Sequence, residues 1–248
     1  KMNLRARPRS ASLPAMKGFG QFCPVAVAAE VFSARWTPVI LRELLAGTDR
    51  FNDLHRGIPL ISRALLARRL LELERAGVVR REPLRGARGH RYALTPAGEE
   101  FRAVIESLGA WGQRWTVRVE RRNLDAGFLM WNVRRRIALE RLPRGRTVAR
   151  FAFTGVPAAR RGPKVFWLLL QPGQADLCVE DPGFEVDLYV EADLASFARV
   201  WLGDVALEAA IRSGEVRLAG PAELRRAFPS WLLLSRFAAV PRPGASRG

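Results

Sequence analysis

The chain has 248 residues and carries 41 Lys+Arg against 24 Asp+Glu, a formal charge of +17, with 48% hydrophobic residues. That much apolar material excludes a disordered polycation, and the longest apolar run, residues 165–170, is far short of the about 20 residues that span a bilayer. The first twenty residues lack the apolar stretch of a signal peptide, and Cys23, His55, His90 and Cys178 offer neither a disulfide framework nor a zinc spacing.

These exclusions predict a soluble, cytoplasmic protein with an anionic partner, no membrane insertion, no metal and no cofactor. Only Lys1, Lys17 and Lys164 are lysines. Genome composition alone can produce such an arginine excess, so position matters more than total. Residues 1–122 hold 23 basic and 11 acidic side chains, net +12; residues 163–223 hold 4 and 11, net −7. This polarity predicts two domains with different partners.

Residues 1–20 are rich in Arg, Pro and Ser without an apolar period and read as a flexible arm, with Met16 a second candidate for the start of the chain. From Pro24 a helix is expected to end near Phe32. Thr37 caps a second helix with Pro38 at its first position, and Gly47 stops it. Residues 50–55 form a short third helix, broken by Gly57 and Pro59. Ser62 caps a fourth that reaches Ala76 and ends at Gly77. Residues 78–83 and 91–94 alternate as two strands around a basic tip containing Arg85 and Arg88. Thr95-Pro96 opens a further helix. Three short helices, a longer one and a basic hairpin form the winged helix-turn-helix order, in which the fourth helix enters the major groove and the hairpin reaches along the backbone or minor groove.

Leu66, Leu70 and Leu73 fall on one face of the fourth helix and should pack inward. Ala64 and Arg68 lie opposite, with Ser62 and Arg63 at the N-terminal end, where free N–H groups favour phosphate. Arg68 is placed to read guanine, Arg69 to meet a phosphate. Leu71 fits neither face. The competing reading is a solvated helix whose arginines pair with Glu72 and Glu74. The wing, with Arg85, Arg88, His90 and Arg91 crowded on one hairpin, favours the DNA reading.

Cys23-Pro24-Val25, Arg35-Trp36-Thr37, Ile40-Leu41-Arg42-Glu43-Leu44, Arg50-Phe51-Asn52-Asp53-Leu54, Ile61-Ser62, residues 70–77 and Tyr92-Ala93-Leu94-Thr95-Pro96-Ala97-Gly98 together resemble the HxlR-type winged-helix regulators, which are MarR-like, over residues 22–115. The resemblance implies a transcriptional regulator that binds double-stranded DNA as a homodimer joined through its terminal helices. The chain departs from that pattern in continuing well past Trp115. Some members sense oxidants or electrophiles through the cysteine of this motif, which makes Cys23 a redox candidate; a thiol near a helix N-terminus has a lowered pKa. The alternative is a small hydrophobe buried at the dimer contact.

After Asn123 a helix is expected over 125–141, with Arg134-Arg135-Arg136 on its polar side. Strands follow at 148–153, 165–170, 175–179 and 185–190. Helices are expected at 194–202 and 205–213, then a short strand at 216–218 and helices at 222–227 and 229–237. This is an α+β domain with an antiparallel sheet covered by helices. It has no nucleophile elbow, P-loop or glycine fingerprint, which argues against an enzyme. Asp181, Asp187, Glu191 and Asp193 lack a calcium-loop spacing and read as strand faces and caps.

Residues 166–170, Asp187-Leu188-Tyr189-Val190, Trp201-Leu202-Gly203-Asp204, residues 211–220 and Phe228-Pro229-Ser230-Trp231-Leu232 resemble the sterol carrier protein type 2 fold over 125–240. That resemblance implies a tunnel for a small hydrophobic ligand, with Phe153, Trp167, Trp201 and Trp231 as candidate lining residues. The expected organisation is an arm (1–20), a mainly α winged helix-turn-helix domain (21–122), an α+β sterol-carrier-like domain (123–241) and a tail (242–248). Helices 96–122 and 125–141 are the expected couplers. The alternative function is a lipid or acyl-chain carrier whose basic domain serves anionic surfaces.

Overall fold

The computed structural model describes residues 18–84, 86, 88–116, 118–159 and 162–243. Most of the expected arm, Arg85 and most of the expected tail lie outside the described residues. The chain forms two compact units that divide between Glu106 and Ser107.

The first unit is mainly helical. Helix α1 (Pro24–Phe32) begins with proline at its first position, where no N–H is needed. The chain then turns at Trp36, which adopts φ 80°, into α2 (Thr37–Leu45) and α3 (Phe51–Gly57). Helix α4 (Arg63–Arg75) is capped by Ser62, whose hydroxyl accepts from the Leu65 N–H at 3.2 Å. Such a cap contributes about 1 kcal/mol. Leu66, Leu70 and Leu73 of α4 are buried and join Ile40, Leu41, Leu54, Ile58, Val79 and Ile105 in one core. Each such side chain contributes roughly 1.5–3 kcal/mol on leaving water. Strands β1 (Val79–Pro83) and β2 (His90–Leu94) pair antiparallel, Val79 opposite Leu94 and Pro83 opposite His90. Helix α5 (Pro96–Trp115) follows; it ends seven residues earlier than expected, and a single 3-10 turn, Arg121–Asn123, comes next.

The second unit is α+β. Helix α6 (Ala126–Arg134) is capped by the Asp125 carboxylate, which accepts from the Phe128 N–H at 2.8 Å. The helix expected over 125–141 therefore stops early. Long-range pairing takes the chain out of it: the Ala138 N–H donates to the Trp231 carbonyl and the Leu233 N–H to the Arg136 carbonyl, both at 2.8 Å. Strands β3 (Thr147–Thr154), β4 (Val165–Gln171), β5 (Gln174–Cys178), β6 (Leu188–Asp193) and β7 (Val216–Ala219) make one sheet in the order β5-β4-β3-β6-β7. All pairs are antiparallel except β3 with β6, which run parallel, so the sheet is mixed. The reason is the path of the chain: after the β3-β4-β5 meander it crosses to the free edge of β3.

Helices α7 (Leu194–Trp201) and α8 (Leu207–Arg212) follow. The two helices expected at 222–227 and 229–237 are one helix, α9 (Ala222–Trp231), with Pro229 inside its last turns. The core lies against one face of the sheet, where Phe151, Phe153, Phe166 and Leu168 meet Met130, Phe197, Phe228 and Trp231. The Phe151 ring sits 6.0 Å from Phe197 and 6.1 Å from Phe228, in edge or tilted geometry. No helix among the described residues is long and apolar enough to cross a membrane.

Candidate nucleic-acid interface

Burial of Leu66, Leu70 and Leu73 turns the other side of α4 outward. Ser62, Arg63, Ala64, Ala67, Arg68 and Leu71 are all exposed. Leu71, which fits neither face on spacing alone, is 45% exposed and lies beside the polar strip. Arg63 donates to Asn52 Oδ1 at 2.6 Å and stacks over the Phe51 ring at 5.1 Å, so α3 holds the first residue of α4 in place. The Ser62 hydroxyl is engaged as the cap.

Arg68 and Arg69 converge on one carboxylate. Arg68 Nε donates to Glu72 Oε1 at 3.0 Å, and Arg69 donates through one guanidinium nitrogen to Glu72 Oε2 and through Nε to the Arg35 carbonyl at 3.2 Å. Partial burial pushes the Glu72 carboxyl up, but the hydrogen bonds and charges of Arg69 and Arg68 outweigh it and hold the group below the ordinary glutamate range. The two arginines differ in access: the Arg68 side chain is 70% exposed, that of Arg69 only 16%.

The wing repeats the pattern. Glu82 of β1 accepts from Arg80 and, at 2.8 Å, from Arg91 Nε of β2. These bonds, Arg80 first and then Arg91, depress the Glu82 carboxyl. Arg81 lies 3.0 Å from His90 Nδ1, and Arg88 is exposed at the tip. Sequence reading named Arg85, Arg88 and Arg91 but missed Arg80 and Arg81, whose strand places them beside the expected ones. It also missed Asn52, which no local pattern links to Arg63.

Cys23 is exposed at the N-terminal end of α1. The free backbone N–H groups of Ala26 and then Val25 lower its thiol pKa. Cys178 goes the other way, pushed up by burial and by Asp176.

The four candidate ligand-lining residues do not come together. Phe153 and Trp231 are buried in the helix-covered core, with Trp201 partly buried against it. Trp167 is on the opposite face, because it neighbours the inward Phe166 on β4 and sides alternate along a strand. Among the described residues no group of three or more His, Cys, Asp or Glu side chains is placed to hold a metal ion.

A capped helix with an outward arginine, following a short helix and leading into a basic hairpin, defines a winged helix-turn-helix DNA-binding domain. Residues 31–120 match the HxlR-like helix-turn-helix family. The chain is 31% identical over 100 residues to the HTH-type transcriptional regulator YdeP of Bacillus subtilis, covering 40% of this chain and 78% of YdeP. It is 32% identical over 101 residues to YvaP of the same organism, covering 38% of this chain and 90% of YvaP. Among solved structures, the reduced form of the regulator YodB from B. subtilis is 33% identical, covering 39% of this chain and 96% of that one, with a TM-score of 0.35. The chain belongs to the HxlR-like helix-turn-helix family, and its class is DNA-binding transcriptional regulator.

Proposed function

We propose that the protein is a one-component regulator that binds operator DNA in the cytoplasm as a homodimer and releases or grips it according to a hydrophobic effector held by the second unit. The carrying observation is the outward Arg68 on a helix whose opposite face is locked into the core. Arg68 reads a base edge. Ser62, Arg63, Ala64 and Arg69 position α4 on the backbone, and Arg85, Arg88 and Arg91 of the wing meet phosphates.

Two further observations support this reading. Exposed apolar side chains line the terminal helices: Val25 and Val27 on α1, and Val104, Leu108, Trp111 and Trp115 along α5. A stripe at that helical spacing suits a partner helix, and a second copy is the economical one. The second unit has a mixed sheet with one helix-covered, aromatic face; on the sterol-carrier-like reading the effector sits on that face near Phe153, Trp201 and Trp231. Control requires that the effector bind one DNA-affinity state better than the other.

The test is a gel shift with promoter fragments and random competitor, alongside native mass spectrometry of the purified protein. Sequence-selective retardation and a co-purified lipophile are expected. Binding to anionic liposomes without binding to any promoter fragment would overturn the regulator.

A further inference from the structure

We propose that the sheet face opposite the core is a second binding surface, anchored by Arg150, for a small amphipathic carboxylate. The register of the five strands places one residue from each in a single row: Cys178 on β5, Trp167 on β4, Arg150 on β3, Tyr189 on β6 and Ala219 on β7. Side chains directly opposite on neighbouring strands stand about 5 Å apart, so this row is a contiguous strip. Arg150 is at its centre. Its guanidinium carbon lies 6.0 Å from the Trp167 ring and 6.0 Å from the Tyr189 ring.

Next to Arg150 along β3, on the same face, are Val148 and Ala152, with Leu169 and Val165 opposite them on β4. The strip is thus flanked on β3 and β4 by apolar groups, of which Val148 is buried, while farther along the same rows stand Asp176 and Asp187 on one side and Glu191 with Arg217 on the other. None of these side chains belongs to the helix-covered core.

The electrostatics of this face are unbalanced at Arg150. Glu191 stands directly opposite Arg217 across β6 and β7, and Asp176 accepts from Gln174. Arg150 has only its two rings: among the described residues, no carboxylate lies within ion-pair distance of it and no acceptor takes its hydrogen bonds. The Trp167 Nε1–H in the same row also lacks an acceptor but is buried, so the guanidinium is the donor that a ligand reaches. A half-buried cation between two aromatic rings, with spare donors and apolar neighbours along its own strand, matches a ligand of one anionic head and an apolar body.

The charge of the surrounding chain narrows the class. Residues 163–223, which supply four of the five strands, carry net −7, so nucleic acid and anionic membrane are repelled at range. A single carboxylate pays little of that repulsion and gains the local contact. The effector proposed above occupies the other face, so neither site depends on the other.

The experiment is calorimetric titration of the full chain with octanoate and with its uncharged counterpart octanol, for the natural protein, Arg150→Gln, Arg150→Lys and Trp167→Leu. Circular dichroism checks that each variant is folded. Octanoate should bind the natural protein at least about tenfold more tightly than octanol. That preference should vanish in Arg150→Gln, survive largely in Arg150→Lys and weaken severalfold in Trp167→Leu. Equal affinity for octanoate and octanol, or octanoate binding unchanged by Arg150→Gln, would place the ligand in the helix-covered interior and overturn the proposal. Absence of octanoate binding at millimolar concentration by the folded natural protein would overturn it as well.

Discussion

Arg68 donates to Glu72 across one turn of α4, Nε to Oε1 at 3.0 Å, on the outward face of the helix. The carboxylate takes the Arg68 Nε–H and leaves the terminal guanidinium nitrogens to point outward, and it holds Arg69 by its second oxygen. Its negative charge beside them opposes a phosphate at close range. Glu72→Gln should raise affinity for random DNA severalfold and steepen its salt dependence by about one phosphate equivalent. Fluorescence anisotropy across a salt series measures both. Unchanged random-DNA affinity would mean that Glu72 is only a helix-surface partner.

The same pair sets a pH dependence. The folded-state pKa of Glu72 is depressed, so the stability from the pair is complete above the ordinary glutamate range and is lost as pH falls through the lower folded value. Glu72→Gln should accordingly flatten the acid limb of the unfolding curve. A denaturation midpoint followed from pH 7 downward tests this, and an identical acid limb in both proteins would refute it.

Arg68 and Arg88 should fail in different ways. Arg68→Ala should cost roughly 1–3 kcal/mol on cognate DNA and relax sequence preference, while Arg88→Ala should lower affinity for all DNA alike. Competition assays with matched and scrambled fragments separate the two. Parallel losses on both fragments for both variants would show that neither side chain reads bases.

Cys23 and Cys178 should differ in reactivity. The Cys23 thiol is exposed and lowered by the α1 amides, whereas burial and Asp176 raise that of Cys178. Thiolate chemistry near neutral pH therefore favours Cys23. Peptide mapping after brief iodoacetamide treatment should find Cys23 alkylated first, and the reverse order would contradict the structure. If Cys23 also senses oxidants, Cys23→Ser should abolish oxidant control of DNA binding.

Three glycines in α5 provide a graded stability test. A Cβ at Gly98 would collide with the Val78 carbonyl oxygen, and one at Gly109 with the Phe237 ring, whereas at Gly112 it would meet only Thr116 Oγ1 at 3.7 Å. Gly112→Ala should stabilise by up to about 1 kcal/mol through helix propensity. Gly98→Ala should lose roughly 1–3 kcal/mol to overpacking despite the same propensity gain. Urea midpoints give the ranking.

Much of the first unit was legible because its signals are local. Ser62 caps the helix it was expected to cap, and Leu66, Leu70 and Leu73 point inward as their spacing requires. Of the arginine pairings expected on α4 with Glu72 and Glu74, that with Glu72 forms, on a face where the Arg68 side chain stays exposed and that of Arg69 does not. What stayed hidden depends on distant partners. Arg136 Nε donates to the Leu233 carbonyl, 97 positions later, and pairing between those segments ends α6 before the apolar pattern does. The separation of Phe153 from Trp167 follows from strand parity once the register is known. Aromatic content alone could not assign the two residues to opposite faces.

Arg69 reaches back from α4 to the main-chain oxygen of Arg35, immediately before the left-handed Trp36. A peptide carbonyl is present whatever side chain position 35 carries, so mutation cannot delete this acceptor. Drift at position 35 is tolerated by the tether, and the vulnerable partner is its neighbour. A bulky residue held at φ 80° stores roughly 1–2 kcal/mol of backbone strain, which substitution by glycine would relieve while removing the indole that packs against the core. The orientation of α4 is thereby insured against change at one position and exposed to it at the next.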